Sequence, residues 1–120
     1  MKLPNAEIAA PPPKEKITGY LLNSDHLAGR GKARFFSRFG FSLKAWRVLA
    51  AALNKHAIGN DISGVEVTDY GKKYIIEGKL DTPSGRSPTI RAVWFISRGE
   101  TVPRFVTAYP VEGKDNDERA

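Results

Sequence analysis

Residues 89–97 read TIRAVWFIS, nine positions without a glycine, a proline or an acidic residue. In an extended chain successive side chains point to opposite faces, so Ile90, Ala92, Trp94 and Ile96 share one face and Arg91, Val93, Phe95 and Ser97 the other. The first set is the better core face. Arg91 is thereby expected on the opposite face of a sheet.

Working outward from this run, the same period of two recurs at residues 63–69, 72–80 and 103–109. Thr82-Pro83-Ser84-Gly85-Arg86 and Arg98-Gly99-Glu100 supply turns before and after the central run. Four strands in succession with short connections predict an antiparallel meander.

Before Asn60 the period is helical. A short helix can start at Pro13 and carry Ile17, Tyr20 and Leu21 on one face, with Gly19 weakening it by about 1 kcal/mol relative to alanine. A second is expected from about Gly29 to Phe39, stopped by Gly40, and a third between the N-cap Ser42 and Gly59, which stands just past its end. In the third, Leu43, Trp46, Leu49, Ala50, Leu53 and Ala57 form the apolar stripe. The predicted fold class is therefore α+β, with two to three N-terminal helices packed on a four-stranded antiparallel meander sheet. Residues 1–12, with their Pro11-Pro12-Pro13 boundary, are expected to form an arm, residues 13–110 a single domain and residues 111–120 a flexible tail.

At 120 residues the chain has the size of one domain, and 41% hydrophobic with 27% charged residues are ordinary globular values. No apolar run approaches a membrane span, and the N-terminal segment has no continuous apolar stretch of the secretory kind, so no membrane partner and a cytoplasmic location are expected. Without cysteine there is no disulfide framework, thiolate nucleophile or sulfur-ligated metal site. The net charge of +6 favours an acidic partner, nucleic acid first. Arg30, Lys32, Arg34, Arg38, Lys44, Arg47 and Lys55 fall between Ala28 and Asn60, a stretch with no Asp or Glu. Of these, Arg30, Arg34, Arg38, Lys44, Arg47 and Lys55 are candidate nucleic-acid contacts.

The stretch HLAGRGKARFF, residues 26–36, invites comparison with a phosphate-binding loop. That pattern needs a Gly five positions before the Gly of Gly-Lys and Ser or Thr after the Lys, whereas His26 and Ala33 stand there. Helical spacing instead puts Arg30, Arg34 and Arg38 on one face and Lys32 with Phe35, Phe36 and Phe39 on another. Lys32 must then either snorkel past the rings or point into a pocket and meet a phosphate. His26 is either a turn residue or a general acid or base, and His56 is expected as an imidazolium at a helix C-terminus. Two histidines without H-E-x-x-H spacing make a metal site unexpected, and no Gly-x-Ser-x-Gly is present. No cofactor is expected.

Glu77, Lys79, Arg91, Arg104, Thr107 and Tyr109 are polar or amphipathic side chains within predicted strands, where half of all side chains face solvent by alternation alone. Carboxylate, arginine and histidine together are nevertheless the groups that ribose 2′-hydroxyl attack on a phosphodiester needs: a base, an acid and cations, with no metal. Tyr70, Tyr74, Trp94 and Tyr109 are available for base stacking or for the core.

Leu3-Pro4-Asn5-Ala6, Lys16-Ile17-x-x-Tyr20-Leu21-Leu22-Asn23, His26 with Gly29 through Lys32-Ala33-x-Phe35-Phe36, Gly40-Phe41, Tyr70-Gly71-x-Lys73-Tyr74, Gly78-x-Leu80-x-Thr82-Pro83-x-Gly85, Val93-Trp94 and Val106-Thr107-Ala108-Tyr109-Pro110 resemble a small bacterial domain family of unknown function. The resemblance covers Leu3 to Pro110. More distantly, helices followed by a four-stranded antiparallel sheet look like the barnase, EndoU and RelE group of small RNases, many of them toxins. In that group a histidine or lysine from the helical part and strand-borne Arg, Glu, Thr or Tyr often form the site, and His26, Lys32, Arg91, Thr107 and Tyr109 match in kind.

The leading reading is a metal-independent RNase-like toxin domain that binds RNA and is matched by a cognate antitoxin or immunity protein. His26 acts in proton transfer, Lys32 and Arg91 stabilise the charged phosphate, and Glu77 or Tyr109 is the complementary proton-transfer group. The alternative is a non-catalytic module that binds nucleic acid or an acidic protein, an antitoxin or a phage-associated adaptor.

Overall fold

The computed structural model describes residues 1–26 and 30–111, position 30 by its backbone alone. A 3-10 turn, Ala6–Ile8, precedes α1 (Lys14–Lys16), which continues without a break into a π-helical turn, Ile17–Leu21. Then come α2 (Arg30–Arg38), α3 (Trp46–Gly59), β1 (Ile62–Thr68), β2 (Gly71–Lys79), β3 (Thr89–Ser97) and β4 (Arg104–Pro110). The strands form one sheet in the order β1-β2-β3-β4, each pair antiparallel, so the expected α+β meander is the fold. No helix among the described residues is long and apolar enough to cross a membrane. The expected tail lies outside the described residues beyond Val111, which is itself buried.

Alternation places the core where the central run predicts it. Ile90, Ala92 and Trp94 are buried on the same face as their cross-strand partners Ile76, Ala108 and Phe105, and Ile17, Leu21, Phe36, Leu49 and Leu53 come down on them from the helices. Gly40, at φ +99°, takes the left-handed conformation that ends α2. The 3-10 turn adds Leu3, Ala6 and Ala9 to the same core, and the carbonyl of Met1 accepts the Ile62 amide at 2.7 Å.

Three local expectations change, and one point left open is decided. The third helix begins at Trp46: Ser42 Oγ accepts the Ala45 amide at 3.2 Å, but Ala45, at φ −107° and ψ 43°, is not helical, so the serine closes a separate turn. Leu43, 53% exposed, therefore leaves the apolar stripe. His56 is not an imidazolium at an exposed helix end. It is buried, its Nε2 lies 3.1 Å from the Gly78 carbonyl, and burial pushes its pKa below the usual imidazole value against the opposing pull of the Gly78 and Ile90 backbone. Trp94 lies in the core as its alternation predicts, and Tyr74, which the sequence left open between core and base stacking, is buried beside it.

The alternation of β4 is interrupted. Trp94 pairs with Phe105 and Val93 with Thr107, so Val106 is an extra residue bulged out of the ladder. Its carbonyl accepts the Lys16 ammonium at 3.0 Å. Phe105 consequently faces the core, its ring 5.4 Å from that of Trp94, while Thr107 and Tyr109 turn to the opposite face with Arg91.

Candidate functional site

On the open face of the sheet, Glu77, Arg91 and Tyr109 stand side by side on β2, β3 and β4, because Glu77 is paired with Arg91 and Arg91 with Tyr109 in the ladder. Arg91 Nε donates to Glu77 Oε1 at 2.9 Å. The carboxylate, first by this hydrogen bond and then by its charge, pushes the guanidinium pKa further up, and a hydrogen bond with Tyr109 acts in the same direction. Arg91 is therefore a fixed cation with an oriented fork.

Lys32 reaches this row from α2. Its Nζ donates to Thr107 Oγ1 at 3.0 Å and to the hydroxyl of Tyr20, and it stands 4.6 Å from the Tyr20 ring centroid and 5.9 Å from that of Tyr109. The lysine is half-buried and points into a polar cluster. An ammonium has three donors, and Tyr20 and Thr107 take two.

Tyr20 was expected only as a member of an apolar helix face. Its ring does lie beside that face, half-buried, but its hydroxyl belongs to the cluster. The hydrogen bond from Lys32 holds the Tyr20 pKa below the ordinary tyrosine value; burial opposes this, and a hydrogen bond with Thr107 and the charges of Lys32 and Lys16 add to it. His26, exposed at the end of the following turn, sets its ring edge-on to Tyr20 with centroids 5.1 Å apart and planes at 71°. The only warning of this role in the sequence was the place of Tyr20 in the quoted pattern, four residues after Lys16.

The six residues singled out for chemistry, His26, Lys32, Glu77, Arg91, Thr107 and Tyr109, thus form one continuous series of contacts with Tyr20 as the missing link. A groove of about 510 Å³ lies beside the bulge and is lined by Lys16, Phe95, Arg104 and Val106 among others. Chemically, the cluster offers two fixed cations, a phenol biased toward its anion and an imidazole. Among the described residues no three His, Cys, Asp or Glu side chains gather into a group that could hold a metal ion.

The candidate nucleic-acid contacts are not gathered there. Arg34, Arg38, Lys44, Arg47 and Lys55 are all exposed, and the side chain of Arg30 lies outside the described residues. Arg47 rests over the Trp46 ring at 4.7 Å, and Lys55 Nζ is 2.6 Å from Asp81 Oδ2. The third helix, lacking an acid of its own, thus receives one from the loop after β2. It packs on the core face of the sheet, away from Arg91 and Glu77.

Among solved structures, a chain of the contact-dependent growth inhibition toxin–immunity protein complex from Klebsiella pneumoniae 342 has the same fold, with a TM-score of 0.68 and 21% identity. The match covers 85% of this chain and 100% of that one. No curated protein matches. Residues 2–112 match the domain of unknown function DUF6883, and the chain belongs to that family.

Proposed function

We propose that this domain cleaves RNA without a metal ion, by attack of a ribose 2′-hydroxyl on the adjoining phosphodiester, and that it serves as the toxic partner of a toxin–immunity pair in the cytoplasm. The carrying observation is the convergence of two cations on Tyr109: Arg91, its cross-strand partner on the neighbouring strand, and Lys32 from α2, 5.9 Å from its ring. Positive charge held in place before the reaction is what a pentacoordinate phosphorane requires, since it needs no reorganisation as charge develops. His26 supplies proton transfer, the Tyr109 ring offers a stacking surface for a base, and Glu77 keeps Arg91 oriented. The groove with Lys16 and Arg104 accommodates the adjoining nucleotides. The growth-inhibition system named for the structural neighbour supports a place in a toxin–immunity pair, as toxin or as immunity protein, and with it a cognate protein partner.

The test is incubation of the pure protein with end-labelled total RNA in EDTA, beside His26→Ala and Arg91→Ala. Cleavage that persists in EDTA and is lost in a folded variant is expected. Intact RNA with the wild-type protein removes the reading.

A second reading, a non-catalytic module for nucleic acid or an acidic protein, is favoured by the outer face of α3, where Val48 and Ile58 are exposed beside Arg47 and Lys55. It predicts binding that weakens steeply with salt and no cleavage.

A further inference from the structure

We propose that Tyr20 is a catalytic proton-transfer residue of this site, the base that takes the proton of the attacking ribose 2′-hydroxyl, with Lys32 as the group that holds its phenolate. The assignment rests on the RNA-cleaving reading above and replaces both groups that the sequence offered for the role. Glu77 is committed to Arg91 at 2.9 Å, and Tyr109 is the cross-strand neighbour of the same arginine. Tyr20 is placed otherwise. Its hydroxyl accepts from Lys32, which is anchored on its other side by Thr107 at 3.0 Å, so the oxygen is pinned at the junction of the helical part and β4. Its ring is edge-on to His26, which brings a second proton-transfer group next to the first. Proton removal at one oxygen and delivery at another is the pairing that the reaction needs.

The step balances without an outside reagent. Phenolate oxygen of Tyr20 takes the 2′-hydroxyl proton; the 2′-oxygen forms a bond to phosphorus as the bond from phosphorus to the 5′-oxygen breaks; the leaving 5′-oxygen takes a proton from the His26 imidazolium. The products are a 2′,3′-cyclic phosphate and a 5′-hydroxyl end, with no oxidation or reduction. Lys32, after serving Tyr20 and Thr107, has its third N–H for a phosphate oxygen. Lowering of the Tyr20 pKa by the Lys32 hydrogen bond is in the sense that a base requires.

Two measurements on the full chain test this. In a near-ultraviolet pH titration one of the four tyrosines should ionise below the rest, disappear in Tyr20→Phe, and move back up in Lys32→Met. In RNA cleavage, Tyr20→Phe should lose about a hundredfold or more in rate and the rise of rate with pH that an ionising base imposes. Replacement of Tyr20 by a ring-fluorinated tyrosine, which keeps shape and hydroxyl, should shift that rise to lower pH, so a misfolded phenylalanine variant does not decide the matter. A wild-type protein that cleaves RNA, with an unchanged rate and pH profile in the variants, overturns the assignment and leaves the RNA-cleaving reading standing. A wild-type protein that cleaves no RNA overturns both, and an unshifted tyrosine titration removes the Lys32–Tyr20 coupling whatever the cleavage result.

Discussion

Lys32 and Thr107, 75 positions apart in the chain, are joined by a 3.0 Å hydrogen bond that ties α2 to β4 across the edge of the sheet. The bond belongs at once to the packing of the helical part and to the polar cluster. Replacing Lys32 by methionine keeps most of the stem and removes the charge. We expect a loss of about 1–2 kcal/mol in unfolding free energy, because Tyr20 and Thr107 each lose a donor in a half-buried place. Cleavage of RNA should fall by about 10²–10³-fold, the usual effect of removing one preorganised donor. Urea melts beside single-turnover cleavage separate the two, and a variant as unstable as predicted but fully active contradicts the placing of Lys32 in the site.

Arg91 and Glu77 are adjacent on the open face and partly exposed, so their ion pair adds little to stability. Their effects on cleavage should differ in size. Arg91→Ala is expected to cost about a hundredfold and Glu77→Gln about tenfold, since glutamine still accepts one hydrogen bond from the guanidinium. Equal losses, with the acid side of the pH profile abolished in Glu77→Gln, would transfer the role of base from Tyr20 to Glu77.

His56 sets an acid limit to stability. Its folded-state pKa is lowered by burial below the usual value near 6.5. Protons therefore bind the unfolded chain before the folded one, and stability is complete above that usual value and declines as pH falls through it toward the folded pKa. Denaturant midpoints should drop through this window in the wild type, and His56→Gln should flatten that part of the curve. A midpoint independent of pH there contradicts a neutral buried imidazole.

Gly71 opens β2 at φ +149°, and a Cβ there would stand 2.2 Å from the carbonyl oxygen of Ile96 on β3. Backbone cannot yield as a side-chain tip can, so Gly71→Ala should destabilise by about 2–3 kcal/mol, seen as a lower denaturant midpoint. RNA cleavage at temperatures where the variant stays folded should be unchanged, because Gly71 lies at the far end of β2 from Glu77.

The sheet was legible because β3 alternates where it matters: Ile90, Ala92 and Trp94 are buried on one face and Arg91 is exposed on the other, although Thr89 and Val93 on that other face are buried as well. Arg91 is opposite the core for the same reason. The helix ends were legible where glycine dictates them, as at Gly40, and not at Ser42, where a turn competes for the same cap. His56 was misread because a basic residue near a helix C-terminus has the same spacing whether it faces water or the core. Tyr20 was hidden by its own amphipathic nature: the ring satisfies the apolar spacing, and only tertiary structure reveals where the hydroxyl ends. Of the basic positions, those on α3 read as a charged stripe, yet Lys55 is matched by Asp81 from a loop that local spacing does not place nearby.

The bulge at Val106 has an evolutionary consequence. Within β4, parity decides which residues reach the open face and which are sealed away, and one extra position reverses that parity between Phe105 and Thr107. A chain that drew Val106 into a regular ladder, with Phe105 still seated on Trp94, would bury Thr107 and Tyr109 and present Ala108 beside Arg91. The composition of this face is thus guarded by a backbone irregularity as much as by any side chain. Descendants can lose the cluster by straightening this one bulge while keeping every residue of it in their sequence, and comparison of composition alone would not reveal it.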